Sequence, residues 1–289
     1  MTDWRERMIK MLQLNGKGER TQDAYTRAVR MLVQFCRKSP ELITEEELRE
    51  YFLHGRNVSK WSPNTMRICH AGIRFFYQTV LCRKWHTLTV PRAQSEHRLP
   101  AVLGQEEVHR LFACVMTPHN HAFLTTVYAC GLRLQEALHL EVSDIDSNRM
   151  LVHVHRGKGA KDRYVPLPTR TLELLRRHWT THRNPRLIFP ALGRSGREAG
   201  HAKDPMAKSS VQGAMRGAKR QAGILKKNVS IHTLRHSYAT HLLEAGVHLR
   251  AIQRYLGHSR IESTMIYLHL TQKGHDDATQ RIEKLMEDL

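Results

Sequence analysis

Residues Ser230 to Leu270 read SIHTLRHSYATHLLEAGVHLRAIQRYLGHSRIESTMIYLHL, and the fold is decided here. His232 and Arg235 stand three apart, so on a helix they share a face. Leu234, Tyr238, Leu242 and Ala245 recur at helical spacing and give that helix a separate apolar side. Ser230 stands where an N-cap belongs, and Gly246 ends the helix. A second helix carries Leu249, Ile252, Gln253 and Leu256 on or near one face. Gly257 stops it, with His258 at the stop. A third amphipathic piece, Ile261 to Leu270, carries Tyr267. A helix start flanked by a guanidinium and an imidazole favours an anion such as phosphate. The expectation is three helical turns that deliver His232, Arg235, His258 and Tyr267 to one phosphate.

Outward from this stretch, the chain is strongly basic. Its 289 residues hold 46 Lys and Arg against 27 Asp and Glu, a formal charge of +19. The excess is +7 over residues 1–97 and +12 over the rest, so it is spread along the chain rather than held in a tail. Such a balance points to nucleic acid, and double-stranded DNA is the expected partner. The apolar fraction of 40% supports a sizeable core. The absence of a long apolar run argues against a membrane span. The charged start MTDWRERMIKMLQLNG lacks a signal-peptide core, so the expected location is cytoplasmic. Five cysteines at irregular spacing, with no CxxC, read as reduced thiols. The 20 histidines raise the question of metal. His232 and His236 form HxxxH without the Glu a zinc protease needs, and His153 and His155 share a strand face. Neither pair is expected to bind metal, and no cofactor is expected.

Residues 19–38 read as a helix, with Tyr25, Val29, Leu32, Val33 and Phe35 or Cys36 along one side. Thr44 and Glu47 form a capping box for a short helix through Phe52. Ser62-Pro63-Asn64 starts another, with Pro63 at a tolerated first position. Arg20, Arg27, Lys60, Arg67 and Arg74 decorate this bundle. Most read as solvated charge one at a time, but Arg67 and Arg74 are expected to track a DNA backbone. The periodicity then fails at WHTLTVPRAQSEHRLP, the best linker. The domains are therefore taken as 1–90, a helical DNA-binding bundle, a linker at 91–100, and 101–289. Helices are expected at 104–115, 121–130, 133–140, 169–179, 208–222 and 275–289. Strands at 150–155 and 163–167 flank the turn Gly157-Lys158-Gly159-Ala160-Lys161-Asp162. Residues 190–206, rich in Gly and basic residues, read as a mobile loop.

Four motifs now stand in order: ACGLRLQEALHL with Arg133, RGKGAKDRYVPL with Lys158, HTLRHSYATHLLEAG with His232 and Arg235, and LGHSRIESTMIYLHL with His258 and Tyr267. Together they resemble the tyrosine recombinase (phage integrase) family across residues 98–270, with the N-terminal bundle a looser match to the family's core-binding domain. The resemblance implies a mainly α fold: a helical core-binding bundle plus a mostly helical catalytic domain with a small antiparallel β-sheet, forming a clamp around DNA. It implies a site-specific recombinase that cuts one strand through Tyr267, leaving a 3′-phosphotyrosine and a free 5′-hydroxyl. It also implies a homotetramer on paired DNA sites.

The residues support that chemistry on their own terms. Cleaving a phosphodiester without metal needs charge on the non-bridging oxygens, and two guanidiniums, Arg133 and Arg235, supply it. Arg133 alone reads as a surface cation paired with Glu136 or Glu141. Beside the other motifs, Glu136 becomes the group that holds it. Lys158 lies in a Gly-flanked turn that can reach the leaving oxygen, and the resemblance implies that it protonates it; Lys161 is the runner-up in the same turn and reads rather as a contact to the DNA backbone. His232 is the expected general base or hydrogen-bond donor, and His258 a donor to phosphate. Tyr255 and Tyr238 read as packing residues, and family placement selects Tyr267 as nucleophile. Alternatives are a type IB topoisomerase-like nicking and closing enzyme, or an inactive DNA-binding protein. The LRH and LGH motifs argue against the first and the intact six-residue set against the second. Within the family, a mobile-element integrase is favoured over an integron integrase or a chromosome-dimer resolvase.

Overall fold

A computed structural model describes residues 3–88, 99–155, 162–193, 198–270 and 286. The chain divides into two compact units, Met1–Arg98 and Leu99–Leu289. The described residues are mostly helical.

The first unit has four α-helices: α1 (Asp3–Leu14), α2 (Glu19–Cys36), α3 (Glu45–Asn57) and α4 (Pro63–Phe75). Local chemistry sets their starts. Thr44 Oγ1 accepts the Glu47 N–H at 3.3 Å, and Glu47 Oε2 accepts the Thr44 N–H at 2.8 Å, so each end of this box satisfies an orphan donor. Ser62 Oγ accepts the Thr65 N–H at 3.2 Å, with Pro63 at the first position of α4. α4 runs on into a π-helical turn, Phe76–Val80, in which Phe76 and Tyr77 are fully buried. The buried Tyr77 hydroxyl finds its partner in the Pro40 carbonyl, 2.8 Å away. α2 and α4 pack closely at Gly72, where a Cβ would lie 2.8 Å from the Tyr25 Cα. Met8, Leu12, Val29, Leu32, Leu48 and Ile73 fill the core between the helices. Of the pair Phe35 or Cys36, Cys36 packs against this core and Phe35 is 40% exposed.

The second unit is built around α6 (Pro118–Ala129). This helix is buried on all sides, through His119, Asn120, Ala122, Phe123, Leu124, Thr126 and Val127, as a central helix must be. α5 (Gln105–Ala113), α7 (Leu134–Leu138), α8 (Thr169–Thr180), α9 (Lys208–Gln221) and α10 (Ile231–Glu244) each contact it. α11 (Leu249–Leu256) and the single-turn α12 (Glu262–Met265) follow, and a 3-10 turn covers Leu268–Leu270. A three-stranded antiparallel sheet, β1 (Ile145–Asp146), β2 (Leu151–Val154) and β3 (Arg163–Pro166), lies in that order. Its register pairs Val152 with Val165 and His153 with Tyr164.

Several expectations needed correction. β1 is two residues long, too short for any alternation to announce it. Residues 190–206 do not read as a free loop in their described part. The Ala191 N–H meets the Asp204 carbonyl, and the Met206 N–H meets the Phe189 carbonyl, both at 2.9 Å. The buried Asn184 amide donates to the carbonyls of Ala199 at 2.8 Å and Ala202 at 3.0 Å. Those backbone bonds across the segment, not its Gly-rich composition, decide its shape. The linker at 91–98, the turn at 156–161 and all but Met286 of the expected 275–289 helix lie outside the described residues. All five cysteines are free thiols. No helix of the described residues is long and apolar enough to cross a membrane.

The second unit also buries two histidines against each other, with His119 Nδ1 3.1 Å from His178 Nε2. Burial, with His182 nearby, lowers the His119 pKa to about 4, and burial, with His119 and His182, lowers that of His178 to about 3. Both fold as neutral rings. The unfolded chain protonates first as pH falls below the ordinary 6.5, so stability is lost on acidification from there towards 4. Urea denaturation of the second unit is expected to show a midpoint that drops steadily between pH 7 and pH 5. A midpoint flat across that range would contradict the burial of neutral imidazoles.

Candidate active site

The site begins at the end of α6. Gly131 turns the chain with φ +58°, and a Cβ there would lie 2.4 Å from the Tyr238 ring. A glycine is therefore required both by the left-handed backbone and by the approach of α10. The Gly131 carbonyl accepts a 2.6 Å hydrogen bond from Arg235 Nη1.

Two residues on, Arg133 is the N-cap of α7. Glu136, one turn into that helix, binds back to it twice: Oε2 accepts the Arg133 N–H and Oε1 accepts Arg133 Nη1, both at 2.7 Å. The same carboxylate takes a fork from Arg163 of β3, with Nη1 at 2.9 Å and Nη2 at 2.7 Å. Arg235 Nη1 stands 3.8 Å away. Three guanidiniums around one carboxylate leave an excess of two positive charges. Burial pushes the Glu136 carboxyl up, but the Arg163 and Arg133 bonds outweigh it and hold the pKa at about 2. Arg235 is 4% exposed. Burial and then Arg133 lower its pKa to about 9, with Glu136 opposing, so it keeps its charge at neutral pH.

The end of α11 completes the cluster. Gly257 ends the helix in the left-handed region, at φ +62°. A Cβ on it would come within 2.9 Å of the Arg163 side chain. The carbonyls released by this helix end become acceptors: Leu256 for Arg235 Nη2, Gly257 for Arg133 Nη2 at 3.2 Å, and Tyr255 for Arg163 Nε at 2.7 Å. Three arginines from three segments are thus aimed by one carboxylate and one helix C-terminus.

Tyr267 lies beside them in the turn after α12 and is 1% exposed. It belongs to a small core with Tyr238, Ala239, Ile252 and Leu256. Its hydroxyl is 2.9 Å from His236 Nδ1. The His258 ring stacks on it, with centroids 6.4 Å apart and planes at 12°. His258 Nδ1 is 2.9 Å from Thr264 Oγ1, which fixes the ring. Burial raises the Tyr267 pKa, while Arg235 and Arg133 pull it back down. His236 and His258 are each lowered to about 4, by burial first and then by Arg235, so both are neutral at pH 7. His232 is more exposed than these and is also lowered, by partial burial of its ring and then by Arg235 and Arg133.

The expected residues Arg133, Glu136, Arg235, His258 and Tyr267 therefore converge, and His232 stands on the same helix as Arg235. Lys158 and Lys161 lie outside the described residues. Two participants were missed. His236, considered only as half of a zinc motif, is the imidazole at the Tyr267 hydroxyl, the place expected for His232. Arg163 was passed over as a strand residue. Its signal was a charge at an inward position of β3, in step with buried Val165. On the first unit, Arg67 and Arg74 sit seven apart on α4, which sets them on one helix face. Arg67 is exposed and bonded to Asn64 Oδ1 at 2.7 Å.

Comparison with known proteins agrees with this geometry. Residues 101–273 match the phage integrase family, and residues 4–87 match the phage integrase N-terminal SAM-like domain. A "Putative integrase/recombinase" of Sinorhizobium fredii is 40% identical over 271 residues, covering 93% of this chain and 85% of the relative. Tyrosine recombinase XerA of Thermococcus kodakarensis is 31% identical over 281 residues, covering 95% and 94%. Among solved structures, the Tn1549 transposon integrase in complex with circular intermediate DNA superposes with a TM-score of 0.73 at 16% identity, covering 96% of this chain and 99% of that one. A lambda integrase dimer bound to a core site gives the same TM-score and identity, covering 92% and 94%. With its arginines, histidines and tyrosine gathered in this order and with these relatives, the chain belongs to the phage integrase family of tyrosine recombinases.

Proposed function

We propose that this chain exchanges DNA strands at specific sites, with Tyr267 as the nucleophile. The observation that carries the reading is the meeting of Arg133 and Arg235 through Glu136 beside Tyr267, from segments about a hundred residues apart in sequence. The Tyr267 oxygen attacks phosphorus, and the bond from phosphorus to the 5′ oxygen breaks. Arg133 and Arg235 neutralise the non-bridging oxygens, where negative charge builds up in the transition state. His258 and His232 add hydrogen bonds to the same oxygens. His236, neutral and already at the hydroxyl, accepts the phenolic proton. Lys158 donates a proton to the leaving 5′ oxygen. The product is a 3′-phosphotyrosine, which conserves the phosphodiester energy, so a second 5′-hydroxyl can reverse the step without ATP.

Tyr267 is buried in the isolated chain, so it reaches phosphate only when its small core opens on the DNA complex. The two units hold duplex DNA through basic side chains such as Arg67, Arg74 and Lys161, and four copies act on paired sites. The integrase and recombinase names of the relatives support a mobile-element enzyme.

Site selection with the purified chain yields a binding sequence, and a nicked version of it traps the covalent product. Wild type is expected to give a protein–DNA adduct resistant to denaturation, and Tyr267→Phe none; adducts in that variant would overturn the assignment. Glu136→Gln leaves three guanidiniums without their carboxylate. It is expected to destabilise the second unit by about 3 kcal/mol in calorimetry, the range for breaking a buried charge network. Arg67→Ala and Arg74→Ala are expected to weaken binding equally across sequences. Each should lower the slope of log affinity against log salt by about 1, as loss of one phosphate contact requires.

A further inference from the structure

Apart from the arginine cluster, the sheet gathers a second group of chemically active side chains. Asp144 ends the 3-10 turn that leads into β1, and its side chain is 6% exposed. One oxygen, Oδ2, accepts the Glu141 N–H at 2.9 Å. The other, Oδ1, is buried and receives no hydrogen bond, although His155 Nε2 lies 2.7 Å away. The ring is close but out of line for donation. A buried carboxylate oxygen without a donor is costly unless a cation meets it.

The surroundings supply the rest of a coordination sphere. His153 projects from β2, stacked on Tyr164 at 4.6 Å and 13°. Its ring centroid is 3.8 Å from that of His155. One donor atom each from Asp144, His153 and His155 lies within 4.8 Å of the others. Asp162 Oδ2 stands 3.3 Å from His153 Nε2 and 3.5 Å from His155 Nδ1. In a four-coordinate zinc site with bonds of about 2.0 Å, donors are separated by about 3.3 Å. The half-exposed His155 ring presents Nε2 to Asp144 and Nδ1 to Asp162, and Asp144 is the carboxylate grouped with both histidines. Two imidazoles and one carboxylate match the charge and softness of Zn²⁺.

The geometry points to a divalent transition-metal site, of zinc type, formed by Asp144, His153 and His155, with water as the fourth ligand. The sequence reading expected no metal at the histidine pair. The fold adds Asp144 from the turn before β1. The ion joins His155, the residue before the 156–161 segment that contains Lys158, to the turn before β1. Its role is to tie the base of the β2–β3 connection, not to take part in phosphoryl transfer, and it holds whether or not Tyr267 is the nucleophile.

The test uses the full chain, stripped with chelator and titrated with Zn²⁺ and, separately, with Co²⁺. Wild type is expected to bind one equivalent more than His153→Ala/His155→Ala. With Co²⁺ it should show the ligand-field absorption of a four-coordinate ion, which the double variant lacks. Asp144→Asn and each single histidine variant should weaken that equivalent at least about tenfold. Circular dichroism of His155→Ala, a change at a half-exposed position, checks that the fold is retained. Equal stoichiometry in wild type and the double variant would overturn the site and assign any binding to other histidines. Unchanged affinity in Asp144→Asn would overturn the coordination by that carboxylate.

Discussion

Glu136 is the point on which the second unit's chemistry turns. One carboxylate, 9% exposed at its side chain, receives Arg133 from the start of α7 and Arg163 from β3, and faces Arg235 of α10. Like charges would drive these guanidiniums apart in a medium that screens poorly. The carboxylate and the three carbonyls at the end of α11 hold them within one site. Burying such a group costs roughly several kcal/mol per ion unless each charge is hydrogen-bonded. Here every arginine has both a carboxylate and a carbonyl to meet. The excess positive charge is what an incoming phosphodiester would neutralise.

The same positive field decides the state of the histidines around it. His236 and His258 are buried beside Arg235, so protonation of either would add a charge to a site that already has too many. They stay neutral and can accept or share protons near pH 7. Tyr267 feels two opposed effects, burial holding its proton and the arginines loosening it. In the isolated chain burial dominates, with the ring packed among Tyr238, Ile252 and Leu256. Stability and reactivity therefore draw on the same few contacts around α10 and α11.

Backbone geometry sets how closely these groups approach. Gly131 and Gly257 both adopt left-handed φ, and at both a side chain would collide with a residue of the site, Tyr238 or Arg163. The glycine in ACGLR and the one in LGH are thus spacers for ring and guanidinium packing. Their neighbours in sequence, Arg133 and His258, inherit their positions from those turns.

The sequence by itself determined most of the helices and much of the chemistry. Helix starts at Thr44 and Ser62 were legible because capping is local, and the apolar stripe of α4 because its period is local too. Arg133, Arg235, His258 and Tyr267 were legible because residue type and motif order survive without coordinates. Tertiary structure decided what depends on approach across the chain. His236 rather than His232 meets Tyr267 because α10 turns that side of its helix towards the chain's later segment. Arg163 joins the site because the inward face of β3 points at Glu136, 27 positions earlier. Asp144 meets His155 only when β1 and its turn fold against β2. Such pairings join residues far apart in sequence, and no local periodicity encodes them.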